Sequence, residues 1–191
     1  MWTLPNLLSF CRIAIIPFLV YLLTFTDRLS ALLAAFLFLF ACLTDYFDGY
    51  LARRHRSVSN LGKILDPLAD KLMVVSALIM LAGTDRVGEP EVPAWLVVVI
   101  VARETAVTIL RGIALTEGIV MEAEELGKYK FALQAFAVFG LMIHYPYLGI
   151  DFYVTGIYFL ILAAAVGLWS GVEYHGKFFR LLQQRTSAVR P

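Results

Sequence analysis

Apolar residues run along the chain in six long segments, from about Ile13 to Phe25, Leu29 to Leu43, Leu68 to Ala82, Ala94 to Leu115, Phe131 to Ile143 and Phe152 to Val172. Polar or helix-breaking turns part them, among them Thr26-Asp27-Arg28, Gly83 to Pro93 and Tyr145 to Asp151. A bilayer span needs about 20 apolar residues, so the pattern predicts an all-α membrane protein with six transmembrane helices. The stretch before Arg12, with Trp2 and Pro5, suits a helix lying in the interface. The expected organisation is therefore one domain over 1–191, with an interfacial segment at 1–12, a six-helix bundle at 13–172 and a tail at 173–191.

Composition agrees and narrows the field. Sixty per cent of the 191 residues are apolar and 16% charged, with a mean hydropathy of +0.77. Soluble domains are nearer 45–50% apolar and about 25% charged. A soluble enzyme, a disordered chain and a nucleic-acid binder are thereby excluded. The net charge of +1 says nothing about partners, but its placement does. Arg53, Arg54, Arg56 and Lys63 fall between the second and third segments, Lys128 and Lys130 between the fourth and fifth, and Lys177, Arg180, Arg185 and Arg190 in the tail. Only Arg28 and Arg86 stand on the opposite side. Basic residues accumulate in cytoplasmic loops, which puts both termini in the cytoplasm. No removable signal peptide is expected. Cys11 and Cys42, inside apolar runs, read as small hydrophobes and not as a disulfide.

Four carboxylates stand where hydrocarbon should not tolerate them. In Asp45-Tyr46-Phe47-Asp48-Gly49-Tyr50-Leu51-Ala52-Arg53, positions 45, 48, 49, 52 and 53 share one helical face. In Gly62-Lys63-Ile64-Leu65-Asp66-Pro67-Leu68-Ala69-Asp70, positions 62, 66 and 70 do the same if one helix carries all three. Capping rules offer the other reading, with Asp66 as N-cap, Pro67 as first helical residue and Gly62 in a loop. Either way two carboxylate pairs sit on consecutive helices expected to pack together. Arg53 and Lys71 cannot neutralise four carboxylates at a membrane boundary. Hard divalent cations can, and an all-carboxylate set favours Mg²⁺ or Mn²⁺ over zinc. Two such ions suit a pyrophosphate, with Gly49 and Ala52 leaving room beside it.

These eight specified residues, at these spacings, resemble the motif of the CDP-alcohol phosphotransferase family. The resemblance implies that family's fold, a homodimer, and displacement of CMP from a CDP-activated lipid by a second alcohol. It implies Asp45, Asp48, Asp66 and Asp70 as ligands of two metal ions, with Asp70 also the general base. Gly49, Ala52, Arg53 and Gly62 would then hold the CDP-lipid.

The motif leaves the acceptor open. Arg103 and Arg111 lie eight apart in the fourth segment with Glu104 beside the first, and Lys128-Tyr129-Lys130 opens the fifth. An anion pocket of Arg103, Arg111, Lys128 and Lys130 would suit an acceptor carrying its own phosphate; structural ion pairing and positive-inside anchoring are the plainer alternatives. Leu4 to Arg12, Asp66 to Leu72, Ala102-Arg103-Glu104 through Arg111, Leu126 to Lys130 and Ser170-Gly171-Val172-Glu173-Tyr174 are similar to the phosphatidylglycerophosphate synthase branch of the family. Where that branch carries Thr after the second lysine, this chain has Phe131. The branch implies CDP-diacylglycerol as donor, sn-glycerol 3-phosphate as acceptor, and a place in the bacterial cytoplasmic membrane among its lipids. A same-fold cardiolipin synthase using phosphatidylglycerol is the nearest rival. A divalent-cation transporter would need carboxylates at the midplane with broken helices there, and here all four lie at the cytoplasmic end. Gly167 and Gly171 read as a helix-packing or dimer contact. Asn6 and Arg12 either pin the first helix to the catalytic face or touch lipid headgroups.

Overall fold

The computed structural model describes the backbone of residues 4–55, 62–84, 91–119 and 125–189; side chains are described there except at 4–9, 45–55, 62–67, 125, 126, 128 and 185–189. Six helices follow one another: α1 (Leu4–Leu23), α2 (Arg28–His55), α3 (Gly62–Gly83), α4 (Ala94–Thr116), α5 (Glu125–Ile143) and α6 (Phe152–Val189). Each contains one of the six apolar segments, and no strand occurs among the described residues. Among those residues α6 carries a stretch, Phe152–Gln184, long and apolar enough to cross a membrane.

Local chemistry sets the helix ends. Asp27 caps α2: Ser30 donates its backbone N–H to Oδ2 at 2.9 Å and its hydroxyl to Oδ1 at 2.8 Å. These bonds hold the Asp27 carboxyl below its usual value of 3.8. Asp151 caps α6 in the same way, accepting from the Val154 N–H at 2.9 Å. At the end of α4, Gly118 at φ +67° closes a Schellman turn. There Ile119 N–H reaches the Ala114 carbonyl at 2.8 Å and Gly118 N–H the Leu115 carbonyl at 3.0 Å.

One apolar core runs through all six helices, with Leu19 and Leu23 of α1, Phe38 of α2, Met73 and Leu78 of α3 and Leu96 of α4 fully buried. The hairpin of α5 and α6 is the tightest pair, because Gly140 and Gly156 let the backbones meet. A Cβ on Gly156 would lie 2.9 Å from Leu141 N and 3.1 Å from Ala137 O. Large apolar side chains point outward all round, including Phe18, Phe36, Phe40, Trp95, Phe136 and Trp169. An exposed apolar surface on this scale belongs in lipid.

The helix bounds bear on four expectations. α1 runs unbroken from Leu4 to Leu23 with Pro17 inside it, so the expected interfacial segment and first span are not separate helices. Its 20 residues reach about 30 Å, roughly the hydrocarbon thickness. The tail is not separate either: α6 continues to Val189, and Tyr174 and Phe178 bury against Val107, Leu110, Ala114 and Ile119. Of the two readings of 62–70 the single helix holds, because Gly62 opens α3 and Asp66 lies within it. Finally, among the described residues α2 and α3 share no extensive contact of their own; α1 packs against both.

Candidate active site

Arg12 of α1 meets Asp70 near the start of α3, while the 24–27 and 144–151 turns meet beyond the opposite end of α1. Tyr145 closes that opposite end by donating its hydroxyl to the Thr26 carbonyl at 2.9 Å. Arg28 lies over the Tyr145 ring, 4.6 Å from its centre.

The motif residues ride on uninterrupted helix. Asp45, Asp48, Gly49, Ala52 and Arg53 are in the last turns of α2, and Gly62 and Asp66 in the first turns of α3. Their side chains lie outside the described residues. Asp70 is described: its Oδ1 accepts from Arg12 Nη1 at 2.6 Å. Arg12 is 3% exposed, so the first helix is pinned to the face of α3 that carries Asp70 and its guanidinium does not reach out to headgroups. Continuous helix keeps Asp66 and Asp70 one turn apart on one face, and likewise Asp45 and Asp48. Oxygen-only donors from two rigid helices fit a hard divalent cation and not zinc.

One step along α3 the chemistry reverses sign. Lys71 Nζ donates to the Thr108 hydroxyl of α4 at 2.5 Å, and Thr108 donates onward to the Glu104 backbone carbonyl at 2.7 Å. Glu104, Thr108 and Arg111 recur along one side of α4. The Glu104 carboxylate, 9% exposed, takes two cations on Oε1: Arg103 Nη1 at 3.0 Å, and Lys130 Nζ from α5. Arg103 is held further by α6, with Nε on the Gly167 carbonyl at 2.8 Å and Nη2 on the Ser170 hydroxyl at 2.5 Å. Arg111 is exposed; its Nε reaches the Tyr174 hydroxyl at 3.3 Å. Lys71 lies within electrostatic range of Glu104, Arg103, Arg111 and Lys130. Among the described residues Glu104 thus has Lys130, Arg103 and Lys71 as its cations, with Arg111 close to Lys71.

Three of the four residues expected to bind an anion, Arg103, Arg111 and Lys130, therefore gather in this cluster. The Lys128 side chain lies outside the described residues. The expected alternative of an Arg103–Glu104 ion pair is also present, and Lys130 joins it. Sequence reasoning took Lys71 only as a counter-charge to the aspartates and missed Thr108, because their pairing crosses two helices and leaves no local pattern. Gly167 and Gly171 serve helix packing, one of the two roles expected of them, against side chains of α4 and α5. A Cβ on Gly171 would stand 3.5 Å from Arg103 Cγ, and one on Gly167 3.5 Å from Lys130 Cδ. The two glycines form a seat for these side chains inside the chain.

Carboxylate positions about one helical turn apart on α2 and on α3, the latter ending next to a cationic cluster, suit a phosphotransferase that works on lipids. The sequence model of the CDP-alcohol phosphatidyltransferase family matches residues 2–169, and the chain belongs to that family. It is a membrane protein of a class that works with a divalent metal. Over 199 aligned residues it is 40% identical to the CDP-diacylglycerol–glycerol-3-phosphate 3-phosphatidyltransferase of Bacillus subtilis (strain 168), covering 96% of this chain and 98% of that protein. The enzyme of the same name from Rickettsia typhi is 37% identical over 91% of this chain and 96% of its own. An Arabidopsis thaliana enzyme of that name, numbered 2, is 34% identical over 96% of this chain and 82% of its own.

Proposed function

We propose that the protein transfers the phosphatidyl group of CDP-diacylglycerol to sn-glycerol 3-phosphate, giving phosphatidylglycerophosphate and CMP. The observation that carries this reading is the adjacency of Asp70 and Lys71: the carboxylate motif ends where a four-cation cluster begins. A site that joins a proton acceptor to a phosphate-binding pocket suits an acceptor alcohol bearing its own phosphate. The activity for which the relatives of near-equal length are named supports the same acceptor.

In this reading Asp45, Asp48, Asp66 and Asp70 hold two Mg²⁺ or Mn²⁺ ions. Bound there, the ions supply charge neutralisation for the diphosphate and for the departing CMP. Gly49, Ala52 and Gly62 leave room for the cytidine end of the donor, and Arg53 binds its diphosphate. Arg111 and Lys128, with the remaining N–H donors of Arg103 and Lys130, bind the acceptor phosphate. Asp70, oriented by Arg12, takes the hydroxyl proton as the acceptor oxygen attacks the lipid-bearing phosphorus. The bond from that phosphorus to the oxygen shared with CMP breaks, and CMP leaves. The same reading gives a homodimer of six-span subunits in the bacterial cytoplasmic membrane. Both termini and the site then face the cytoplasm, where the basic loops gather.

The test is CMP release from CDP-diacylglycerol in mixed micelles by the purified protein. Release that requires both a divalent cation and glycerol 3-phosphate, and that stops on chelation, is the expected result. Release without acceptor, or none with any alcohol phosphate, contradicts the proposal.

A further inference from the structure

Among the cations of the cluster, Lys71 combines a half-buried position with a neutral partner, whereas Arg111, paired with the Tyr174 hydroxyl, is exposed. Arg103 and Lys130 have their charge matched by the Glu104 carboxylate. Among the described residues Lys71 has one hydrogen bond, to the neutral hydroxyl of Thr108. It is half-buried, and its charged neighbours are Glu104, a carboxylate already bonded to Arg103 and Lys130, and the like charges of Arg103, Arg111 and Lys130. An ammonium so placed keeps two N–H donors free of described partners and stands in an excess of positive charge that an anion would relieve. Its place in the chain matters equally. Asp70 turns toward α1 and meets Arg12, whereas Lys71, one residue on, turns toward α4 and the cation cluster.

We infer that Lys71 is a specificity-determining residue that binds the phosphomonoester of the acceptor and positions its hydroxyl for Asp70. This rests on the acceptor reading given above and extends the pocket by a residue from a third helix. Both ends of the acceptor are then gripped from successive positions of α3: the phosphate by Lys71 with Arg111 of α4, the reacting hydroxyl by Asp70. Thr108 sets the reach of the ammonium, because its own proton is committed to the Glu104 carbonyl and it can only accept from Lys71.

The experiment compares wild type with Lys71→Met, Lys71→Arg and Thr108→Val in two arms. In steady-state kinetics, Lys71→Met should raise the KM for glycerol 3-phosphate about tenfold to a hundredfold, the usual range for a lost charged hydrogen bond. The KM for CDP-diacylglycerol should stay within about twofold. Lys71→Arg should recover part of the loss, and Thr108→Val should show a smaller rise in the same constant. In the second arm, inorganic phosphate binding is titrated calorimetrically with divalent cations chelated, so that the aspartates cannot retain it through a metal. Lys71→Met should weaken that binding by a similar factor. A raised donor KM with an unchanged acceptor KM would assign Lys71 to the donor diphosphate and overturn the inference. So would unchanged phosphate affinity, or a loss confined to kcat or to folded yield. If wild type binds phosphate through Lys71 yet does not use glycerol 3-phosphate, the acceptor assignment fails while the anion site at Lys71 stands.

Discussion

Replacing Glu104 by Gln separates the scaffold from the pocket, because among the described residues this carboxylate is the one that Lys130, Arg103 and Lys71 share. Its Oε1 accepts from Lys130 and from Arg103 at 3.0 Å, and Glu104 and Lys130 are 9% and 7% exposed. Arg103 would keep its bonds to Gly167 and Ser170. Lys130 has Glu104 as its one charged partner among the described residues, so the cost falls there. Removing one member of a buried pair costs about 3–5 kcal/mol; the Gln carbonyl still accepts a hydrogen bond, which sets the expectation near 3 kcal/mol. Lys130→Met should cost less, about 1 kcal/mol, since Arg103 still covers the carboxylate. The double variant Glu104→Gln/Lys130→Met should be more stable than the sum of the singles by about 2 kcal/mol, the signature of direct coupling. Unfolding by SDS in mixed micelles, followed by far-ultraviolet circular dichroism, measures all four proteins. A Glu104→Gln protein within about 0.5 kcal/mol of wild type, or strictly additive singles, would refute the buried network.

Three further outcomes follow from the site and the caps. Asp70→Asn should lower turnover by 10²–10⁴-fold, as loss of a general base does, while calorimetry still detects CDP-diacylglycerol binding; a residual rate above about a tenth of wild type refutes the base role. Gly49→Leu should fold, by circular dichroism, yet lose CDP-diacylglycerol affinity. A fold-only account expects the opposite, since a mid-helix Gly is already about 1 kcal/mol worse than Ala. Asp27→Ala should destabilise α2 at neutral pH. Because folding lowers the Asp27 pKa, that stabilisation is present above the ordinary value of 3.8 and is lost as pH falls through the folded pKa. The gap between wild type and variant, measured by unfolding at pH 7 and near pH 3, should therefore shrink on acidification.

Periodicity and turn chemistry locate all six helices, because each apolar segment must bury or meet lipid and each turn carries a breaker. The aspartate motif is equally legible, since i, i+3 and i, i+4 spacing survives in any helix. What escapes the sequence is pairing across helices. Nothing local links Arg12 to Asp70, Lys130 to Glu104 or Lys71 to Thr108, which are 58, 26 and 37 residues apart. Ser170, Gly171 and Tyr174 resemble a family motif in the sequence. Their physical reason, seating Arg103 and meeting Arg111, needs the packed bundle. The helical tail is hidden for the same cause: Tyr174 and Phe178 read as ordinary apolar residues until α4 is placed beside them.

The acceptor is the point on which the functional account stands or falls. The most direct measurement compares glycerol 3-phosphate with phosphatidylglycerol on one preparation, with CDP-diacylglycerol and Mg²⁺ or Mn²⁺, reading kcat/KM from CMP release and identifying the lipid product by mass spectrometry. The account predicts phosphatidylglycerophosphate as product and a clear preference for glycerol 3-phosphate. Cardiolipin as the main product, with phosphatidylglycerol the better acceptor, would contradict it.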